Sequence, residues 1–169
     1  MKSIKYILLT LLTVFMASCN SEDNNYEIAY TKTWPLDGQY KVTVTDATGA
    51  VVKSGLFCYI SNTVDDVNNK IWLRIGNYNQ AAKDAFGING KLDCDVAALT
   101  FSGQAQNLSG NVATSTETFS VTSGSIVLKG AKAPSGTVCD KISFTFTRTN
   151  FPGKTYKVEG YRYTGWPED

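Results

Sequence analysis

Apolar and polar residues alternate with a period of two along most of the chain from residue 38 onward. In the first such segment, Tyr40, Val42 and Val44 are separated by lysine and threonine. This spacing is typical of β-strands with one buried face, whereas an amphipathic helix repeats its apolar residues every three or four positions. The alternation therefore predicts an all-β domain of mainly antiparallel strands, either a closed barrel or a two-sheet sandwich.

The apolar phases of these strands predict which side chains face the interior of the domain. Such side chains either line a ligand cavity or fill a core, and the sequence leaves both alternatives open. The candidates for lining a ligand are Tyr40, Val42, Val44, Ile71, Leu73, Ile75, Leu99, Phe101, Ile142, Phe144 and Phe146.

Turn residues divide the chain into about nine or ten short strands. Thr48 and Gly49 predict a hairpin turn between the first two strands, and Gly160 predicts a bulge in the last one. Residues 79–86 are the only segment with a helical pattern, and Gly87 would end that helix. Further short strands are expected at residues 91–96, 109–114, 117–122, 125–129 and 155–164.

The N-terminus has the features of a bacterial lipoprotein signal. Two lysines precede an apolar run over residues 6–16, which has the length of a signal-peptide core. Two small residues then precede Cys19, as in a lipobox, where the cysteine becomes the acylated N-terminus after cleavage. We expect residues 1–18 to be removed and the protein to be anchored by lipid in the outer membrane. The alternative is an ordinary secretory signal that happens to precede a cysteine.

Residues 19–33 are predicted to connect this anchor to a single domain over residues 34–169. The segment is polar and has no periodicity, which is typical of a flexible tether. Glu22 and Asp23 lie close behind the acylated cysteine and resemble the signal that places some Gram-negative lipoproteins on the outer face of the cell. We therefore expect a cell-surface location, with a merely solvated linker as the alternative.

Composition excludes several classes of function. The chain contains no histidine, which excludes Ser-His-Asp and Cys-His nucleophile systems and the usual zinc sites. Its 16 basic and 15 acidic residues form no basic tract, so nucleic acid is not an expected partner. Asp93 and Asp95 would start about 6.5–7 Å apart on one strand face, near the spacing of an inverting glycosidase pair. Carboxylates on a solvent-facing strand are ordinary, however, and we predict no catalytic residue, metal or cofactor.

Three cysteines remain if Cys19 is acylated. Cys58 and Cys94 share the apolar phase of their strands, whereas Cys139 is out of phase with the apolar residues that follow it. If a disulfide forms, this favours a bridge between Cys58 and Cys94, provided that their strands are neighbours. Three unpaired thiols that act as small apolar side chains are equally consistent with the pattern.

Two segments resemble a family of bacterial lipoproteins. They are WPLDGQYKV at residues 34–42 and TYKVEGYRYTGWPED at residues 155–169, of which GYRYTG is the most specific part. These segments are similar to the family labelled "lipid-binding putative hydrolase", whose members are lipocalin-like β-barrels behind a lipobox. The resemblance implies an antiparallel barrel of about eight to ten strands with at most one short helix, and it favours a barrel over a sandwich. It supplies no established catalytic residues.

We therefore expect the barrel to bind one small hydrophobic or lipid-like ligand without catalysis. An eight-stranded barrel has just enough interior for such a ligand. The alternative is an accessory module that binds glycans or a partner protein, and a hydrolase, as the family label suggests, is the third possibility. Aromatic residues that would line a mouth, stack on sugar rings or plug the barrel are Trp34, Trp72, Trp166, Tyr156, Tyr161 and Tyr163.

Overall fold

Hydrogen bonding between the first and the last strand closes a barrel. The computed structural model describes residues 28–76, 87–108 and 116–169, and in these residues it contains eight antiparallel strands and no helix. Each strand pairs with its neighbours in the chain, and β1 pairs with β8. This confirms the predicted barrel and excludes the sandwich. The strands are β1 (Gly38–Asp46), β2 (Val51–Asn62), β3 (Lys70–Ile75), β4 (Ile88–Asp95), β5 (Thr100–Gln106), β6 (Thr118–Lys132), β7 (Val138–Arg148) and β8 (Thr155–Arg162).

Two predicted elements, the helix at residues 79–86 and the strand at residues 109–114, lie outside the described residues. Within the described ranges, no helix is long and apolar enough to span a bilayer.

The apolar phases of the strands point into the barrel. Val44, Leu73 and Ile142 have no exposed surface. The Phe144 ring centroid lies 5.5 Å from that of Phe101 and 6.2 Å from that of Phe146. Each such side chain contributes roughly 1.5–3 kcal/mol when fully buried, and together they form one core that contacts all the strands.

The near end of the barrel, where β1 begins, is closed by the segment that precedes β1. This end also carries the β2–β3 and β4–β5 connections, the tip of the β6–β7 hairpin and the C-terminal residues 163–169; the other connections lie at the far end. Leu36 is fully buried, and its carbonyl accepts a hydrogen bond from the Tyr40 hydroxyl at 3.1 Å. Arg162 donates to the Asp37 carbonyl at 2.6 Å and to the Asp140 carboxylate at 2.9 Å. These contacts tie the start of β1 to the end of β8.

β6 is one long strand rather than the two that the sequence predicted at residues 117–122 and 125–129. Its pairing with β7 shifts register between Thr122 and Ser125 and again between Val127 and Ala131. A bulge leaves residues unpaired but continues the strand, so the polar interruption at residues 123–124 is not a turn.

Leu99 differs from the other interior candidates. It precedes β5 with a φ of 55° in the β4–β5 turn and is only partly buried. Its carbonyl accepts a hydrogen bond from the Ile126 amide at 2.9 Å, so it supports the bulged part of β6.

Gly160 does not form the predicted bulge, because β8 pairs in unbroken register with both β1 and β7. Tyr156 and Val158 point inward, and Tyr161 belongs to the opposite phase in an ordinary alternation. Glycine is needed for close approach instead. A Cβ atom at this position would contact the Lys41 carbonyl oxygen and lie 2.7 Å from Val42 Cγ1.

We predict that Gly160→Ala lowers the free energy of unfolding by about 1–3 kcal/mol, since overpacking forces β1 away from β8. Urea unfolding followed by circular dichroism measures this change. Lys157→Ala alters an exposed side chain of the same strand and should change stability by no more than about 0.5 kcal/mol. Equal midpoints for the two variants would contradict the prediction.

Candidate ligand-binding site

The predicted ligand-lining residues, apart from Leu99, lie together inside the barrel. They are at most 2% exposed and belong to one packed cluster. A gap large enough for water would leave its lining accessible, so no such gap borders the residues that are fully inaccessible, among them Ile71, Leu73 and Ile75. Around these side chains the interior is filled by the protein itself. Their contact with a ligand stays a prediction.

A cleft of about 480 Å³ lies on the outer face of strands β1 to β4. Its floor follows a row of outward-facing partners across the sheet, in which Gln39 pairs with Tyr59, Tyr59 with Arg74, and Arg74 with Asn89. The Leu108 amide donates to the Asn89 carbonyl at 2.7 Å, which places Leu108 at the β4 side of the cleft. The lining residues are Gly38, Gln39, Tyr59, Ile60, Ser61, Trp72, Arg74, Asn89 and Leu108.

Cations lie over the aromatic rings of this face. The Arg74 guanidinium is 4.3 Å from the Tyr59 ring centroid, and Lys91 Nζ is 5.3 Å from that of Trp72. Trp72 and Lys91 are direct partners between β3 and β4, so the second pair lies beside the first. Among the described residues, no carboxylate forms an ion pair with Arg74 or Lys91. Such a face offers apolar surface for stacking and positive charge for an anion.

The remaining aromatic candidates do not join one site. Tyr156 is buried in the barrel, and Trp34 and Trp166 are more than half exposed at the near end. Tyr163 contacts Phe57 with ring centroids 5.5 Å apart, and Lys41 lies over both rings. The aromatic surface of β2 therefore continues from the cleft toward β1.

The family model described as "lipid-binding putative hydrolase" matches residues 25–167. The chain belongs to this family. The match spans the whole barrel and confirms the resemblance of the two terminal segments. A search of curated proteins finds no match.

The surroundings of Asp93 and Asp95 give little support to the hydrolase activity in the family description. Both are exposed on the outer face of β4. Asp93 pairs with Lys70, and Asp95 accepts a hydrogen bond from the Ala98 amide at 3.0 Å inside a turn. In the described ranges no three acidic or cysteine side chains converge as they would to hold a metal ion.

The suggested bridge between Cys58 and Cys94 is wrong, since Cys58, Cys94 and Cys139 are all free thiols. Cys58 lies in β2 and Cys94 in β4, and β3 lies between them, so the two strands are not neighbours as the bridge requires. Cys58 is level with Ile75 and Ile88, and Cys94 lies six residues farther along β4, which is about 20 Å of strand.

Burial raises the pKa of the Cys58 thiol, although Arg74 opposes the shift. A raised pKa favours the protonated thiol, which is unreactive because the thiolate is the nucleophile.

A buried ion pair at the far end was not predicted. Arg148 donates from Nε to Glu117 at 2.6 Å and from Nη2 to the same carboxylate at 2.8 Å. Asn107 donates to Glu117 at 3.0 Å and to the Gly87 carbonyl at 3.2 Å, while its own oxygen accepts from the Asn89 amide at 3.0 Å. Arg148 occupies an inward-facing position of β7, so the alternation of this strand is the sequence signal that could have revealed it. The network joins the starts of β4 and β6 to the end of β7, so its role is structural.

We predict that Glu117→Ala lowers the free energy of unfolding by about 3–5 kcal/mol, because it leaves the Arg148 charge buried without its main partner. Asp93→Ala breaks an exposed pair and should cost no more than about 1 kcal/mol. Urea unfolding of both variants decides between them. A second variant, Glu117→Leu with Arg148→Met, should recover most of the lost stability. If Glu117→Ala is as mild as Asp93→Ala, the network does not hold the far end together.

Proposed function

We propose that this protein is a lipid-anchored barrel that binds one anionic, lipid-like amphiphile in the outer cleft, without catalysis. The observation that carries the proposal is the pairing of Arg74 with Tyr59, beside Trp72, in a cleft of about 480 Å³. Small-molecule sites typically measure about 300–1,000 Å³ and combine apolar walls with few polar groups.

The cleft suits a ligand with two chemically distinct parts. A carboxylate or phosphate would accept charge-assisted hydrogen bonds from Arg74, which no described carboxylate neutralises. An acyl chain would lie against Trp72 and Leu108. The filled core supports this outer location, because a ligand inside would have to displace packed aromatic rings.

The lining of the cleft supports a binding role rather than a catalytic one. The described residues that line it include no carboxylate, cysteine or histidine. Among these residues Ser61 carries the only hydroxyl apart from that of Tyr59, and hydrolysis through a serine needs a general base within hydrogen-bond reach. The Arg74 guanidinium donates hydrogen bonds but accepts none, so it does not serve as that base.

We further propose anchoring through acylated Cys19 in the outer membrane, with the barrel facing the cell surface. The lipobox at residues 16–19 and the acidic residues Glu22 and Asp23 support this proposal. Residue 28, the first that the structure describes, is nine positions beyond Cys19.

We predict that the purified protein binds a fluorescent fatty acid and that Trp72→Ala or Arg74→Gln weakens binding at least about tenfold, which corresponds to roughly 1.4 kcal/mol. Fluorescence titration measures the dissociation constants. Matched controls are Trp166→Ala and Lys53→Ala, which remove an exposed tryptophan and an exposed cation outside the cleft.

Three outcomes of this titration contradict the assignment. Unchanged affinity in the cleft variants would place the ligand elsewhere. Binding of oligosaccharides but not of fatty acids would favour the glycan-binding alternative. Saturable ester hydrolysis that Arg74→Gln abolishes would make the protein an enzyme.

We predict that Cys19→Ala abolishes incorporation of labelled fatty acid and moves the protein out of the membrane fraction, because acylation of this thiol supplies the anchor. Cys94→Ala is the matched control, since it removes a half-buried thiol of the barrel and should leave acylation unchanged. A Cys19→Ala protein that stays acylated would contradict the lipobox assignment.

A further inference from the structure

Large apolar side chains are exposed mainly at one end of the barrel. In the described residues, those outside the near end are Val51 and Val52, which lie where β2 begins. Val64 is 96% exposed, Ile28 69%, Trp166 58% and Trp34 52%. The members of this near-end patch are Ile28, Tyr30, Trp34, Val64, Val127, Leu128, Val138 and Trp166.

Hydrogen bonds fix the segments that carry the patch to one another. The Lys32 amide donates to Asp66 at 3.0 Å, which joins the N-terminal segment to the loop that contains Val64. The Ser135 amide donates to Asp169 at 3.1 Å, which joins the tip of the β6–β7 hairpin to the C-terminal residues. Each of these hydrogen bonds holds two of the segments that carry the patch together.

The composition of the patch suits the boundary between lipid and water. The rings of Trp34 and Tyr30 contact each other at a tilt of 54°, with centroids 4.4 Å apart, yet both residues are more than half exposed. Tryptophan and tyrosine concentrate at membrane interfaces because one part of each ring system is apolar and the other is polar. Exposed apolar surface of this kind marks an interaction site on a soluble domain.

The chain that precedes the patch identifies its occupant. Ile28 is nine positions after Cys19, and nine extended residues span at most about 30 Å. An acyl group on Cys19 would hold this end, rather than the far end, close to the bilayer. This step rests on the anchoring in the proposed function.

We propose that the near-end patch rests on the surface of the lipid bilayer. The barrel then stands on the membrane in one orientation, with the far end directed away from it. Acidic residues such as Asp65 and Glu168 share this end with Lys32, Lys129 and Lys132, so the contact depends on the aromatic and aliphatic side chains rather than on net charge.

The three tryptophans provide the test, because Trp34 and Trp166 belong to the patch and Trp72 does not. The mature chain, residues 19–169 with Cys19→Ala, is mixed with an excess of phosphatidylethanolamine–phosphatidylglycerol vesicles that carry brominated acyl chains. We expect the vesicles to reduce tryptophan fluorescence by roughly twofold, since two of the three rings would reach the interface. Trp34→Phe with Trp166→Phe leaves Trp72 as the reporter and should show little quenching.

The acylated chain in the same vesicles is the second measurement. The proposal is overturned if the vesicles quench neither the unacylated nor the acylated protein. It is also overturned if the variant with Trp34→Phe and Trp166→Phe, in which Trp72 is the reporter, is quenched as strongly as the protein with all three tryptophans. A patch that remains unquenched but crosslinks to a second protein would assign it to a protein partner. Failure of the anchoring proposal is recognised separately by mass spectrometry, as a Cys19 without an acyl chain, and it does not affect the unacylated measurement.

Discussion

The hydrogen-bonded seam between β1 and β8 is the contact on which the rest of the structure depends. Without it, the sheet would be open and its apolar face would lack the opposite wall. Arg162 holds the seam from inside, since it donates to the Tyr40 hydroxyl and to the Asp37 carbonyl and lies over the Tyr40 ring. Burial raises the pKa of that hydroxyl, while the nearby Arg162 charge opposes the shift. Tyr40 therefore remains a neutral donor to Leu36.

In the described part of the barrel, the inward-facing side chains form a packed core. Bulky rings from β5, β7 and β8 meet across the interior and occupy the space that a ligand would need. The proposed binding function therefore uses outward-facing side chains. The outward-facing side chains of the cleft over β1 to β4, such as Tyr59, Trp72 and Arg74, do not belong to the core cluster.

Local alternation predicted the antiparallel strands and their inward faces, whereas the choice of a barrel over a sandwich came from the resemblance to the family. Tyr40, Leu73 and Phe144 were assigned correctly from their neighbours alone. Leu99 packs against the core but is only partly buried, because a turn at Asp95 breaks the period just before β5. Gly160 was misread because a missing side chain signals a bulge and a close approach equally well.

The cleft could not be predicted in the same way. Tyr59 and Arg74 are distant in the sequence, and only the register of β2 against β3 brings them together. The alternation shows that each faces outward, but it does not fix which residue of the next strand lies opposite. The Glu117–Arg148 pair is hidden for the same reason, since it joins residues 31 positions apart.

The order of the strands also governs how the molecule reaches its folded state. Every pairing except the seam joins strands that are consecutive in the chain, whereas the seam joins Tyr40 to Arg162, 122 residues away. Contacts of high sequence separation carry the largest loop-closure entropy and form late. Until the seam closes, β1 and β8 are two unprotected edges whose free amide and carbonyl groups can pair with another chain. The unclosed meander, rather than the unfolded chain, is thus the species most prone to aggregation during folding.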